Sequence, residues 1–271
     1  MAYENYETLM IAVAGGIVRA TIDHPPINLL DLALILELDR FGREVEADPT
    51  VKVVVLDSAD PEFFAAHADV ELIRSLPTDE QTLHDELSIF HAMVDRFRTM
   101  PKATIAIIEG IARGGGSELV LSFDMRFAAV GRAVLAQPEV SVGITPGGGG
   151  TQRLPNLVGR ERALEVILGC DDIDAITAAE WGYVNRALPP DELRPFVDAL
   201  ARRIASFPSE TIARAKQAVD AALTDPRNGL LAEDQLFRTS LSDPETGPRM
   251  AAFMENGGQT RDVETRGFPT G

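Results

Sequence analysis

Two glutamates in the middle of the chain follow turn-forming residues and could carry out acid–base chemistry. Glu118 lies two residues after three consecutive glycines at 114–116, and Glu139 follows a Gln-Pro dipeptide. Both have mostly apolar neighbours, and burial in such surroundings raises a carboxyl pKa towards neutrality, where the group can transfer protons. Because glycine lets backbone amides approach a ligand closely, the glycine run could stabilise a developing oxyanion. Together these features favour chemistry at the α and β carbons of a carbonyl compound.

The glycine run and a second cluster at 147–150 each have the form of a turn that leads into a helix. Amides at a helix N-terminus favour an anion or an oxyanion. Two tight turns with close packing are an open alternative, and either glutamate alone could be a helix cap or a surface acid. Neither the GxGxxG dinucleotide pattern nor a GK[ST] phosphate loop is present, and Leu119 stands where a GxSxG elbow around Ser117 would need glycine.

The composition limits the partners of the protein. With a net charge of −17 over 271 residues, the surface repels phosphodiester backbones, so nucleic acid is not an expected partner. The same field opposes an anionic cofactor, which would need local cations. One cysteine, Cys170, excludes an internal disulfide framework and is typical of a reducing cytoplasm. The acidic N-terminus is unlike a secretory signal, and no apolar run is long enough to span a membrane, so we predict a cytoplasmic protein.

Short β-rich segments alternate with helical stripes in the first 130 residues. Strands joined by long helical connections pair in parallel, so this pattern predicts an α/β core. The predicted strands are Ile17–Ile22, Val51–Leu56, Thr104–Ile108 and Arg126–Val130. The predicted helices of this part are Asp31–Ala47 and Thr78–Met100, in which apolar residues recur at helical spacing.

From about residue 160 the pattern changes to consecutive helices with no strand between them. These helices are Arg160–Gly169, Asp191–Ser206, Pro208–Leu223 and Gly229–Ser240. The glycine-rich polar segment that follows has little to bury, and we expect it to be flexible unless a neighbour holds it. We therefore predict an α/β core over 1–190, a helical region over 191–256 and a flexible tail over 257–271.

Four segments together resemble the signature sequences of the enoyl-CoA hydratase/isomerase (crotonase) superfamily. The glutamates lie in IARGGGSELVLSFDMRFA and LAQPEVSVGITPGGGGTQRLP, and the other two segments are EFFAAHADVEL and AAEWGYVNRAL. The match keeps its order and spacing from about Val18 to Leu188. The resemblance implies the α/β crotonase (ClpP-like) fold of repeated ββα units, with a C-terminal helical region that assembles a homotrimer or a dimer of trimers.

The resemblance also implies roles for individual residues. The amides of Ala68 and Gly115 would form an oxyanion hole for a thioester carbonyl. Glu118 would hold and activate water, and Glu139 would deliver or remove the proton on the α carbon. The acyl-CoA substrate would lie against Ala66, Ala68, Asp69, Val70, Gly115 and Gly147, in a pocket lined from Asp69–Leu76 and Ile144–Gly147. No permanently bound cofactor is implied, because coenzyme A is part of the substrate.

The sequence departs from the family pattern where the coenzyme would bind. His67 stands where most members have glycine, and Glu71 stands where lysine is common. The segment FMENGG lacks the lysine that members commonly carry near the C-terminus. The two lysine losses weaken the expected grip on the coenzyme phosphates. Arg113, beside the glycine run, could compensate for them or make a structural contact.

Two histidines lie on the predicted long helix without a catalytic setting. His84 and His91 are seven residues apart, next to the apolar stripe. They lack a third ligand at metal spacing, so we expect packing at the edge of the core and no metal site.

Three functions are consistent with this sequence. Hydration of trans-2-enoyl-CoA comes first because both glutamates are present. Isomerisation of an enoyl-CoA double bond is the alternative, since Glu139 alone could suffice for it. A catalytically weak binding or assembly protein of the same fold is the third, motivated by His67 and the missing lysines.

Overall fold

Ten strands and twelve α-helices form the part of the chain that the computed structural model describes, residues 3–77, 86–221, 223 and 227–266. The strands are β1 (Leu9–Ala14), β2 (Ile17–Ile22), β3 (Val53–Ser58), β4 (Phe63–Ala65), β5 (Ala103–Ile108), β6 (Ile111–Arg113), β7 (Met125–Ala129), β8 (Val134–Ala136), β9 (Ile173–Asp174) and β10 (Arg186–Leu188). The helices are α1 (Leu32–Ala47), α2 (Val70–Arg74), α3 (Ile89–Thr99), α4 (Gly115–Leu121), α5 (Gly150–Val158), α6 (Arg160–Gly169), α7 (Ala175–Trp181), α8 (Pro190–Ala205), α9 (Ser209–Asp220), α10 (Arg227–Leu241), α11 (Thr246–Glu255) and α12 (Arg261–Glu264). A 3-10 helix spans Glu139–Val142.

The larger sheet has the strand order β1-β2-β3-β5-β7-β10. Strands β1 and β2 form an antiparallel hairpin, and the other neighbours are parallel. Val54 and Leu56 of β3 belong to one apolar cluster, with residues of α1 and α3. Val53 and Val55 belong to a second cluster beneath α8. Because helices cover both faces of the sheet, the first four residues of this strand are all apolar, as expected for parallel pairing.

The smaller sheet joins β4, β6 and β8 in parallel and adds β9 antiparallel to β8. Strands β3, β5 and β7 of the larger sheet are each followed by a strand of the smaller sheet and then by a helical segment, which is α2, α4 or the 3-10 helix. This succession is the repeated ββα unit that the resemblance predicts. Because β4, β6 and β8 are parallel, the helical segments begin at the same edge of the smaller sheet.

Several predicted boundaries differ from those observed. The four predicted strands exist, with boundaries within two residues of those observed. The six-residue hairpin partner β1 was missed. The short strands were also missed, because two or three residues show no periodicity. The prediction that no strand lies between the helices after residue 160 was wrong, since β9 and β10 lie there. Residues 78–85 of the predicted helix Thr78–Met100 lie outside the described residues. The observed α3 begins only at Ile89, where Ser88 caps it by accepting a hydrogen bond from the amide of His91.

The C-terminal segment packs against the core as far as Glu264. It includes α12, whose Glu264 is fully buried. This helix falls in the tail 257–271, which was expected to be flexible unless a neighbour holds it, and residues 267–271 lie outside the described residues. The neighbour that holds it is the loop between β4 and α2, through His67 and Asp69. Within the described ranges, no helix is both long and apolar enough to cross a membrane.

Candidate active site

Glu118 lies in the first turn of α4, and two glycines determine where that turn is. Gly114 precedes the helix with a φ of +48°, a conformation that favours glycine. A Cβ on Gly116 would lie 2.2 Å from the carbonyl oxygen of Ala65, so α4 packs directly on the backbone of β4. Glycine allows this approach, which carries Glu118 to the end of the smaller sheet.

The second glycine cluster anchors the buried carboxylate of Glu118. Its Oε1 accepts hydrogen bonds from the amides of Gly148 (2.8 Å) and Gly150 (2.9 Å). Burial, followed by the negative charge of Glu233, raises the pKa of Glu118 to about 7, although the two amides act in the opposite direction. A carboxyl group that titrates near neutrality can both accept and donate a proton at physiological pH.

Glu139 begins the 3-10 helix and packs against the turn before α4. A Cβ on Gly114 would lie 3.1 Å from its Oε1. Its Oε2 is buried and has no hydrogen-bond partner among the described residues. Burial, followed by the charge of Glu118, raises the pKa of Glu139 well above its usual value. A buried polar atom without a partner in the protein is the type of group that a ligand or water satisfies.

The backbone amides of Ala68 and Gly115 lie side by side. A Cβ on Gly115 would be 3.2 Å from the nitrogen of Ala68. The amides of Asp69 and Gly114, next to them in the chain, donate to main-chain carbonyls. Neither the Ala68 amide nor the Gly115 amide donates to another described residue. Two neighbouring donors are therefore available to one ligand oxygen.

An apolar cavity of about 340 Å³ connects these groups. Ala68, Gly115, Glu118 and Glu139 all line it, so the structure brings together the four residues predicted to carry the chemistry. Its apolar wall includes Leu72, Ile73, Leu76, Phe90, Ile144 and Phe237. The two stretches predicted to line a pocket therefore do so, and Gly147 is among the lining residues.

Three residues predicted to contact substrate are not among the described residues that line this cavity. Asp69 caps α2 by accepting a hydrogen bond from the amide of Glu71. Ala66 belongs to a small apolar cluster with Ile27. Val70 packs in another apolar cluster, behind the wall. All three support the loop that carries Ala68.

His67 and Arg113 attach the C-terminal helix to this loop. His67 Nε2 lies 3.0 Å from Oε1 of Glu264, and its Nδ1 lies 2.9 Å from the carbonyl oxygen of Ala68. Arg113 is 1% exposed. It donates to both carboxylate oxygens of Asp172 and to the carbonyl oxygen of Glu264. The structure thus decides in favour of a structural contact for Arg113.

Replacing Glu264 by glutamine is expected to lower the free energy of unfolding by about 1–3 kcal/mol. Burial by itself raises the pKa of Glu264, but the hydrogen bond and charge of His67, with Gln259 and Arg113, bring it below its usual value. A carboxyl with a lowered pKa in the folded state stabilises the fold above its unfolded-state pKa, and this is lost as the pH falls through the folded-state value. Urea unfolding should show the full difference at pH 7 and a smaller one below about pH 4.

Asp262→Asn is the matched control for this variant. Asp262 lies on the same helix but is exposed, in a pair with Arg266. Its replacement should change stability by less than about 0.5 kcal/mol. Equal effects of the two substitutions would contradict a stabilising role for the buried contact.

The site also contains buried groups that sequence reasoning missed. Glu233 in α10 accepts hydrogen bonds from the amides of Gly149 and Thr151 and contacts His91. In the sequence it is one of 42 acidic residues, and no motif distinguishes it. His84 lies outside the described residues, which contain no group of three or more side chains arranged to hold a metal ion.

Cations are scarce around the cavity. The lysines of the chain, Lys52, Lys102 and Lys216, donate to backbone carbonyls elsewhere. Among the described lining residues the one cation is Arg238, which donates to Asp234. Glu71, where the family commonly has lysine, pairs with Arg74. An anionic ligand would therefore depend on the cavity wall and backbone amides for much of its affinity.

Known proteins match both the sequence and the fold. The family model for enoyl-CoA hydratase/isomerase matches residues 12–260. The chain is 33% identical to the short-chain-enoyl-CoA hydratase of Clostridium acetobutylicum, over 89% of this chain and 92% of that protein. It is 33% identical to the crotonyl-CoA hydratase of Syntrophomonas wolfei, over 94% and 96% respectively. The chain also resembles the crystal structure of a candidate enoyl-CoA hydratase from Streptomyces avermitilis, with 40% sequence identity and a TM-score of 0.87. That match covers 96% of this chain and 95% of the Streptomyces chain. The chain therefore belongs to the enoyl-CoA hydratase/isomerase family.

Proposed function

We propose that the protein catalyses the reversible hydration of trans-2-enoyl-CoA to 3-hydroxyacyl-CoA. The observation that carries this proposal is the meeting of two buried carboxyls of raised pKa and two adjacent amides at one apolar cavity. Hydration requires such a set, because water loses a proton, the α carbon gains one and the thioester oxygen carries negative charge in between. Relatives named as hydratases support the same reaction.

In the proposed reaction the thioester oxygen accepts hydrogen bonds from the amides of Ala68 and Gly115. Glu118 removes a proton from water as the water oxygen bonds to the β carbon. The electrons of the carbon–carbon double bond move to form an enolate, whose oxygen the two amides stabilise. Glu139 then donates its proton to the α carbon, and the enolate electrons form the new C–H bond. The thioester is retained throughout.

The raised pKa values suit these two roles. A pKa of about 7 leaves a large share of Glu118 ionised near neutral pH, ready to accept a proton. Burial and the charge of Glu118 raise the pKa of Glu139 well above its usual value, which favours the protonated form that can donate a proton. Burial is the largest cause for both, and their mutual repulsion adds to the shift at Glu139. The pair is therefore suited to work in opposite protonation states.

Double-bond isomerisation is the second candidate. It is favoured by the difference in anchoring, since two amides bind Glu118 whereas Oε2 of Glu139 has no partner among the described residues. A single carboxyl with an oxygen free of protein hydrogen bonds can remove a proton from one carbon and return it to another. Hydration ranks first because Glu118 faces the same cavity and titrates in the useful range.

Crotonyl-CoA tests the proposal directly. We expect the absorbance of the conjugated thioester to fall on mixing with enzyme and to reach an equilibrium value. Starting from 3-hydroxybutyryl-CoA, the absorbance should rise to the same equilibrium. Turnover at the level of buffer would contradict the hydratase proposal. A 3-enoyl-CoA would then test isomerisation.

Calorimetric titration with acetyl-CoA separates both enzymes from a binding or assembly protein. Binding at millimolar ligand together with turnover supports an enzyme, even where the affinity is low for lack of cations. Absence of both binding and turnover would favour the non-catalytic alternative.

The family resemblance carries two further proposals. We infer that the chain assembles as a homotrimer or a dimer of trimers and functions in the cytoplasm. Sedimentation equilibrium tests the first, and a monomer at micromolar concentration would contradict it. Fractionation of the native host tests the second.

A further inference from the structure

The turn at 148–151 is bound by two carboxylates that use alternate amides. Glu118 Oε1 accepts from Gly148 and Gly150. Glu233 accepts from Gly149 (2.5 Å) and from Thr151, through both its amide (2.8 Å) and its hydroxyl. All four successive amides of the turn therefore donate to one of these two carboxylates. The position of Glu118 thus depends on a turn that Glu233 also holds.

Glu233 is not a cavity residue. It is 2% exposed and lies behind the turn, on α10. His91 of α3 is fully buried, and its Nε2 lies 3.0 Å from Oε1 of Glu233. The other ring nitrogen lies 2.9 Å from the hydroxyl of Ser88, which caps α3. The pair therefore joins α3, α10 and the start of α5 behind Glu118.

We propose that Glu233 and His91 are positioning residues, which hold the turn at 148–151 against Glu118 and set the charge state of Glu118 from behind the cavity. The catalytic consequence rests on the proposed hydratase function, but the effect on Glu118 itself does not. Neither residue needs to touch substrate for this role.

Opposite charges in the pair have opposite effects on Glu118. The negative charge of Glu233 raises the pKa of Glu118, and positive charge on His91 lowers it. Among the described residues, the titratable and charged groups around Glu118 from the elements packed against it are His91 of α3, Glu139 of the 3-10 helix, Arg153 of α5, Tyr183 after α7, and Glu233, Asp234 and Arg238 of α10. Glu118 and Glu233 are bound by alternate amides of the same turn, so the pair of Glu233 and His91 is the part of the field that acts on Glu118 through a shared element.

A purely structural role is the competing explanation. A carboxylate at the N-terminus of α5 stabilises that helix through its first amides, whatever happens at Glu118. Such a role predicts that loss of either partner lowers stability and leaves the titration of Glu118 unchanged. The positioning role predicts shifts of opposite sign for the two partners.

The test is a pH titration of the free protein by carbon NMR with 13C-labelled glutamate carboxyls, in which the Glu118 signal is identified by its loss in Glu118→Gln. We expect a wild-type midpoint near 7. Glu233→Gln should shift the midpoint down and His91→Gln should shift it up, each by about one pH unit. Glu210→Gln, an exposed acid of α9, is the control and should shift nothing.

Unchanged midpoints in both variants, or shifts of the same sign, would overturn the proposal. If circular dichroism shows that Glu233→Gln does not fold, the sign of the midpoint shift in His91→Gln still tests the proposal. Glu233→Asp then serves as the conservative variant, which keeps the charge and should keep the midpoint within about half a unit of wild type. If wild-type protein does not hydrate crotonyl-CoA, the proposed function fails while this titration still reports on the pair.

Where hydration is observed, the same variants give a kinetic readout. The acidic limb of the pH profile of kcat should move with the titration midpoint of Glu118, down for Glu233→Gln and up for His91→Gln. KM for crotonyl-CoA should stay within about threefold of wild type, because neither residue lines the cavity. A limb that stays in place while kcat falls would support the structural explanation instead.

Discussion

Glu118→Gln and Glu139→Gln should each lower kcat for hydration of crotonyl-CoA by about 10²–10⁴-fold. Glutamine keeps the size of the side chain, and its carbonyl oxygen can still accept from the amides of Gly148 and Gly150, which bind Glu118 Oε1. What each substitution removes is a titrating carboxyl, not the shape of the cavity. Stopped-flow absorbance measures kcat, and calorimetry with acetyl-CoA should give a Kd within about threefold of wild type.

The double variant sharpens this prediction. Because the two carboxyls act in one reaction, the combined loss should be smaller than the product of the single losses. Glu210→Gln, on an exposed ion pair of α9, should leave kcat unchanged. Turnover within a few-fold of wild type in either single variant would refute the assignment of that residue. If Glu118→Gln lost hydration but retained isomerisation of a 3-enoyl-CoA, Glu139 would be sufficient for the second reaction.

Gly148→Ala should lower kcat by about 10²-fold. Its Cβ would lie 2.3 Å from Cε1 of Phe90 and 2.4 Å from Oε2 of Glu118, so the ring, the carboxylate or the turn must move. Glu118 cannot move freely, since its other oxygen is bound by the amides of this same turn. A displacement of about 1 Å between a base and its proton donor is enough for the expected loss.

Gly247→Ala is the matched control, because a Cβ there meets no atom within 4 Å and the residue lies in α11. Alanine in this helix should raise stability slightly, by about 0.5–1 kcal/mol, and leave kcat unchanged. The two variants should therefore differ in activity far more than in the temperature of unfolding. Equal kcat values for Gly148→Ala and wild type would show that the turn tolerates a side chain and does not fix Glu118.

Much of the α/β core could be predicted from the chain because its signals are local. Val53–Ser58 begins with four consecutive apolar residues, and Ala103–Ile108 is apolar except for Thr104, which is the pattern of strands covered on both faces. The helix at Arg160–Gly169 was predicted with the observed boundaries. Strands of two or three residues, such as Arg186–Leu188, have no period to detect and became visible only through their pairing in the sheets.

The sequence by itself determined the chemical groups of the site. Glu118 and Glu139 follow residues that force turns, and the pattern of glycines makes close approach of backbone amides possible without knowledge of the rest of the fold. The family resemblance then paired Ala68 with Gly115, and these two residues line the same cavity as the glutamates. These features can be recognised in the sequence because each depends on residues close together in the chain.

Only the tertiary structure decided what surrounds those groups. His91 meets Glu233 across 142 positions, and His67 meets Glu264 across 197, so neither pair leaves a spacing pattern in the sequence. Arg113 could not be assigned until Asp172 was found beside it. The pKa of Glu118 depends on burial and on charges brought from other helices, and both arise only when those helices pack. The chain thus specifies which acids are present, whereas the packing of distant helices specifies when they carry a proton.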